Sequence, residues 1–176
     1  TREQDVIALF NQLIAGGVIR GIKIMSTNER FTYDGMYRIE FSEPSKNHLY
    51  DGDKNPLGVD QNCLNDHLLF KSGPQILEYK YNFDALIEDI ENGSKNSNEI
   101  DLVVVWETGD DFQSNYHITS LLNEENISLR PFHGVTHIVT SHKSGQVEMY
   151  LIVLKELIYY LNNESLLLKE EEKKYE

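Results

Sequence analysis

The stretch QILEYKYNFDALIEDI, residues 75–90, decides the fold. Side chains alternate faces along a strand, so Ile76, Glu78 and Lys80 share one face while Leu77, Tyr79 and Tyr81 share the other. Asn82 then offers an N-cap. Phe83, Leu86, Ile87 and Ile90 follow at helical spacing, and Gly93 closes the helix. EIDLVVVWE, residues 99–107, continues as an unbroken apolar run of the kind buried on both faces in the middle of a sheet covered by helices. Strand, helix and strand in that order predict a parallel crossover. The exception to this apolar pattern is the pair Glu78 and Lys80, because a charge inside a buried strand costs free energy unless it is paired or used.

Working outward, REQDVIALFNQLIAGG (2–17) places Val6, Leu9, Phe10, Leu13 and Ile14 on one face of a helix that Gly16 and Gly17 stop. GIKIMSTNERFTYDGMYRIEF (21–41) reads as two extended segments of a meander, joined near Asn28 or Asp34-Gly35. Residues 43–74 hold the turn-rich DGDKNPLGVDQN and form a long connection, with a short helix at NCLNDHLLF. A connection of that length is uncommon in a compact domain unless it is functional. HGVTHIVTSH (133–142) is a further strand, and EMYLIVLKELIYYLNN (148–163) reads as an apolar helix packed on the sheet. DDFQSNYHITSLLNEENISL (110–129) gives no clear period. The expected fold class is α/β, a central mixed sheet with helices on both faces, in a single domain over 1–163. Residues 164–176 follow as an acidic helix end or tail.

The chain has 176 residues, enough for one domain with a real core. No run approaches the roughly 18 apolar residues of a membrane span, and no leader with a cleavage site opens the sequence, so no membrane is expected. A single cysteine, Cys63, makes no internal disulfide, and a reducing, cytoplasmic setting is the expectation. Thr1 in place of Met suggests a fragment of a longer protein. The formal charge of −13 argues against coating nucleic acid by bulk electrostatics. Five of the acids, Glu164, Glu170, Glu171, Glu172 and Glu176, lie in the segment ESLLLKEEEKKYE, whose charge block reads as solvated.

A carboxylate and an ammonium on one strand face can hold a divalent cation and steady a water beside a phosphate. The order helix, meander, Asp, then Glu-x-Lys on an apolar strand, then helix and buried strand resembles the PD-(D/E)XK, or restriction-endonuclease-like, superfamily over roughly residues 3–106. The resemblance implies a mixed sheet flanked by helices and Mg²⁺- or Mn²⁺-dependent cleavage of phosphodiester bonds. Glu78 and Lys80 in LEYK match the (D/E)XK half of the motif. Asp34 in FTYDGMYRIEF, at the head of a strand that can lie beside residues 75–81, matches the metal-binding aspartate. Glu3 matches the supporting acid of the opening helix. No proline precedes Asp34, and its distance from Glu78 requires an insertion over 43–74. Asp60 in NPLGVD is the rival acid, and if it serves, Asp34 is a turn residue. The E-x-K pattern also recurs at 171–173 and 172–174, so its placement on an apolar strand is what singles out residues 78–80.

Competing readings attach to the same residues. Glu78 and Lys80 could form a same-face ion pair worth about 0–1 kcal/mol. His133, His137 and His142 invite a zinc reading, but His133 and His137 on a strand would stand about 13 Å apart at roughly 3.3 Å per residue, too far to share one ion. Cys63 reads as a small apolar side chain, and Tyr79 and Tyr81 read as core rather than as stacking platforms for bases. Glu107 closes a buried strand and is either polar lining of the same cleft or solvated. The expectation is a divalent-metal-dependent nuclease domain: Asp34 and Glu78 bind the metal, Lys80 positions the water, and loss of any one costs rate rather than stability. Its partners are nucleic acid, DNA before RNA, other domains of a longer protein and, as a homo-oligomer, a second copy of the chain. The alternative is a catalytically inactive module of the same fold that docks a partner protein.

Overall fold

Eight residues of the quoted stretch, Gln75–Asn82, form a strand whose Leu77 and Tyr79 are buried, and the sheet grows on both sides of it. The computed structural model describes residues 2–27, 32–41, 45–66 and 73–176. Asn28, one of the two expected joints of the meander, lies outside them, as do parts of the 43–74 connection. Helix α1 (Arg2–Ala15) leads into β1 (Ile22–Thr27) and β2 (Gly35–Ile39), which pair antiparallel. The short α2 (Gln61–Asp66) precedes β3 (Gln75–Asn82), and β2 and β3 pair antiparallel with Gly35 opposite Leu77. After α3 (Phe83–Glu91) comes β4 (Leu102–Glu107), parallel to β3 with Glu78 opposite Val103. β5 (Tyr116–Ser120), β6 (His137–Ser141) and β7 (Val147–Val153) complete the sheet, and α4 (Leu154–Leu161) and α5 (Ser165–Glu172) follow. Among the described residues this is a seven-stranded mixed sheet in the order β1-β2-β3-β4-β7-β6-β5.

The period-two pattern sorts the core into two layers. Leu77 and Tyr79 of β3, Leu102 and Val104 of β4 and Ile152 of β7 pack against α1 and α4 with Val6, Phe10, Leu154 and Leu157. Val103, Val105, Leu151 and Val153 point the other way and pack on Phe83, Leu86 and Ile87 of α3. β4 lies between two parallel neighbours and is covered on both faces, which is why its apolar run is unbroken. Asn82 caps α3 through its side chain, which accepts from Asp84 N at 2.9 Å. No described helix is long and apolar enough to cross a membrane.

Several expectations are corrected. Residues 147–153 are strand, not the first half of a helix, because β7 fills the gap between β4 and β6, and only Leu154 onward turns helical. The unreadable 110–129 contains β5, an edge strand with alternating burial. Only the second half of HGVTHIVTSH is strand, so His133 stands outside β6. The terminal segment is a mostly exposed helix, one of its two expected forms, but its end is anchored rather than free. Tyr175 is buried, donating its hydroxyl to Glu156, which also contacts His137 Nε2 at 3.2 Å.

The described part of the 43–74 connection is pinned to the body by buried polar groups. Arg130, 1% exposed, donates to the carbonyls of Val135, Gly58, Leu121 and Pro56 at 2.8–3.2 Å. Gly58 is required there, since a Cβ would stand 2.5 Å from Tyr50 N. His133 contacts Asn55 Oδ1 at 2.7 Å, and Asn55 donates to the carbonyls of Asn47 and Leu49, both at 2.8 Å.

Candidate functional site

Pairing of β2 with β3 ends at Gly35 and Leu77, which sets Asp34 beside Glu78 and Tyr79. Asp34 continues the ladder with its side chain. Its Oδ2 accepts from Tyr79 N at 2.8 Å, and its own N–H donates to Glu78 Oε2 at 3.3 Å. Two carboxylates 44 residues apart in sequence thereby flank the same point of β3.

Glu78 is fully buried and faces the α3 side of the sheet. Its other oxygen, Oε1, pairs with the ammonium of Lys95, which follows α3 in the segment GSKNSNE. Lys80 lies on the same face, as expected, but it pairs with Asp89 of α3 at 2.8 Å. The competing reading of a Glu78–Lys80 ion pair is therefore set aside: adjacent same-face positions on β3 are each met by a different partner from α3 and its continuation. Glu3 of α1 also acts on the site. Burial lowers the pKa of Lys95, and the nearby carboxylates of Asp34 and Glu3 oppose that shift. Lys95 thus pairs with Glu78 and also feels the charges of Asp34 and Glu3.

The segment that carries Lys95 is fastened to its surroundings. Lys95 N donates to Asp89 O at 3.1 Å, and Asn96 N to the Tyr33 hydroxyl at 3.2 Å. That hydroxyl in turn donates to Glu99, and Ser97 Oγ donates to Glu148 at 2.8 Å. Tyr33 and Asp34 are neighbours in sequence, so one short turn before β2 both touches this segment and supplies a carboxylate.

Asp60, the rival acid, is a helix cap. Its Oδ1 accepts from Cys63 N at 2.9 Å at the start of α2. Asp60→Ala is expected to cost about 1 kcal/mol in urea unfolding and to leave any nucleic-acid cleavage unchanged. A loss of cleavage with unchanged stability would return Asp60 to the site. Cys63 donates weakly to Pro131 O at 3.4 Å. Tyr79 is core, edge-on to Phe10 at 5.9 Å, and Tyr81 carries the Arg2 guanidinium 5.1 Å above its ring. Glu107 accepts from Asn82 at 3.3 Å and lies 3.6 Å from Lys155, which makes it a strand-end anchor. The zinc reading fails on partners. His133 is held by Arg20 N and Asn55, and His137 by Thr136 and Glu156.

Among the described residues no three His, Cys, Asp or Glu side chains form a ready metal cage. Mg²⁺ does not require one, since it is commonly held by one or two carboxylates with waters and substrate phosphates. The donors here are hard oxygens, and the ammonium on Glu78 Oε1 stands where a cation's charge would. The residues fit such an ion. Sequence reasoning singled out Asp34 and Glu78, which the fold brings together, but not Lys95, whose local signal is a lysine in a polar turn after a helix. No protein-family model matches the chain, and no curated protein or solved structure matches it.

Proposed function

We propose that the chain is a divalent-metal-dependent nuclease domain of the restriction-endonuclease-like type, acting on phosphodiester bonds of nucleic acid, DNA before RNA. The observation that carries this reading is the meeting of Asp34 and Glu78 at one point of β3, joined by the 3.3 Å contact from Asp34 N to Glu78 Oε2. The order α1, β1, β2, α2, β3, α3, β4 supports it too, with Asp34 just before β2 and Glu78 within β3. Asp34 and Glu78 would hold Mg²⁺ or Mn²⁺, with Glu3 in support. The ion would supply a Lewis acid and lower the pKa of a bound water. The protein's share is to fix both carboxylates on a rigid sheet, to hold a lysine on Glu78, and to keep Lys80 on the same face under the control of Asp89.

The inactive docking module is favoured by one feature, the occupation of both Glu78 oxygens by groups of the protein itself. Cleavage of single- and double-stranded DNA and RNA in Mn²⁺, with wild type, Asp34→Asn and Lys80→Ala prepared identically, separates the two. The nuclease reading expects wild type to cut, Asp34→Asn to lose cleavage and Lys80→Ala to be impaired. Equal cutting by all three would mark a contaminant and end the assignment. Cutting by none would put the docking module in its place.

A further inference from the structure

Glu78 is 0% exposed, so nothing reaches its carboxylate unless a present partner leaves. One partner, Asp34 N, is main chain at the end of a paired strand and has little freedom. The other is an ammonium on a flexible four-carbon stem, 12% exposed, and it can leave by side-chain rotation alone. The backbone of Lys95 stays fixed by its bond to Asp89 O while the stem swings. Lys80 cannot substitute, being engaged with Asp89.

We propose that Lys95 is the resident cation of the site, which a divalent metal must displace from Glu78 Oε1, so that this competition sets the affinity for metal. The inference rests on the metal-site reading above and adds to it a residue outside the Glu-x-Lys pattern. Lys95 holds the buried carboxylate in place while metal is absent. After displacement its ammonium remains tethered beside the same carboxylates, where an incoming phosphate would also lie. The metal then takes the place of the ammonium on Glu78 Oε1, with Asp34 beside it.

Mn²⁺ binding, followed by loss of the free-ion electron paramagnetic resonance signal, tests this on wild type, Lys95→Gln, Lys80→Gln and Glu78→Gln. Glutamine at 95 keeps a hydrogen-bond donor for Glu78 and removes the charge. The expected result is binding at least about tenfold tighter in Lys95→Gln than in wild type. Lys80→Gln should match wild type, and Glu78→Gln should not bind. Binding by Lys95→Gln alone would be the strongest form of the same result. Equal or weaker binding by Lys95→Gln, with Glu78→Gln still silent, overturns the role of Lys95 and leaves the metal site standing. Binding by no protein, or equal binding by Glu78→Gln, overturns both. Should Lys95→Gln not fold, amine acetylation of wild type decides. Mn²⁺ should raise labelling of Lys95 several-fold and leave Lys80 unchanged, and unchanged labelling of Lys95 overturns the proposal.

Discussion

Glu78→Ala is expected to abolish cleavage and also to destabilise the domain by about 3 kcal/mol, the lower end of the range for removing one partner of a buried ion pair. The sequence alone argues for a cost in rate and none in stability, as befits an exposed catalytic carboxylate. The structure changes that expectation. Glu78 is fully buried, and its removal strands the Lys95 ammonium and leaves Asp34 N without its acceptor. The cost stays at the low end because Lys95 is 12% exposed and can turn toward water. Lys80→Ala breaks a pair that is 17% and 27% exposed and should cost less than about 1 kcal/mol. Urea unfolding of the two variants beside wild type checks both figures. A Glu78→Ala protein as stable as wild type would mean that Glu78 and Lys95 are not paired in solution. Loss of cleavage by such a protein would then be purely chemical in origin.

The contrast between Glu78 and Lys95 shows what a sequence can carry. Glu78 is conspicuous because period two puts it among Ile76, Leu77 and Tyr79, where a charge demands an explanation. Asp34 is legible because a strand head next to a known strand leaves few places for it. Lys95 lies 17 residues from its partner in a turn of Gly, Ser and Asn, where a lysine normally faces water. Nothing local announces it. Among the elements, β3, α3 and β4 follow from clean periods and a cap. β7 does not, because MYLIV followed by LKELIYYL is apolar under either period, and pairing with β4 and β6 decides between them. β5 is short and half polar, and its strand state depends on β6 beside it. Tyr175 sits in a charge block that pattern assigns to solvent, yet its ring finds Phe112 and its hydroxyl finds Glu156.

Stability is expected to fall as pH drops below about 6.5, with a component from His133 approaching 1.4 kcal/mol per pH unit. His133 is buried, and its Nδ1 accepts from Arg20 N at 3.1 Å. The Asn55 amide nitrogen is spent on two carbonyls, so its Oδ1 faces the ring and the histidine donates from Nε2. Both ring positions suit the neutral form. Burial, with the positive neighbours Arg20, His48 and Arg130, pushes its pKa down to about 3. Burial and Arg20 lower that of His48 as well. In the unfolded chain a histidine takes up its proton near pH 6.5, so between that pH and about 3 the unfolded state binds one proton more than the folded state. Stability from this group is therefore complete above pH 6.5 and is lost as pH falls toward 3. Carboxylates with shifted values contribute to the same range, so the diagnostic quantity is the difference between wild type and His133→Gln. Glutamine can accept from Arg20 N and donate to Asn55 without titrating. Urea unfolding at pH 7, 6, 5 and 4 should give a variant curve flatter by about one proton. Parallel curves would require the folded protein to hold a charged His133, with no acceptor left for Arg20 N and two guanidinium groups, Arg20 and Arg130, nearby. The bond lost would be the one from Arg20 N, since a charged ring still donates from Nε2 to Asn55.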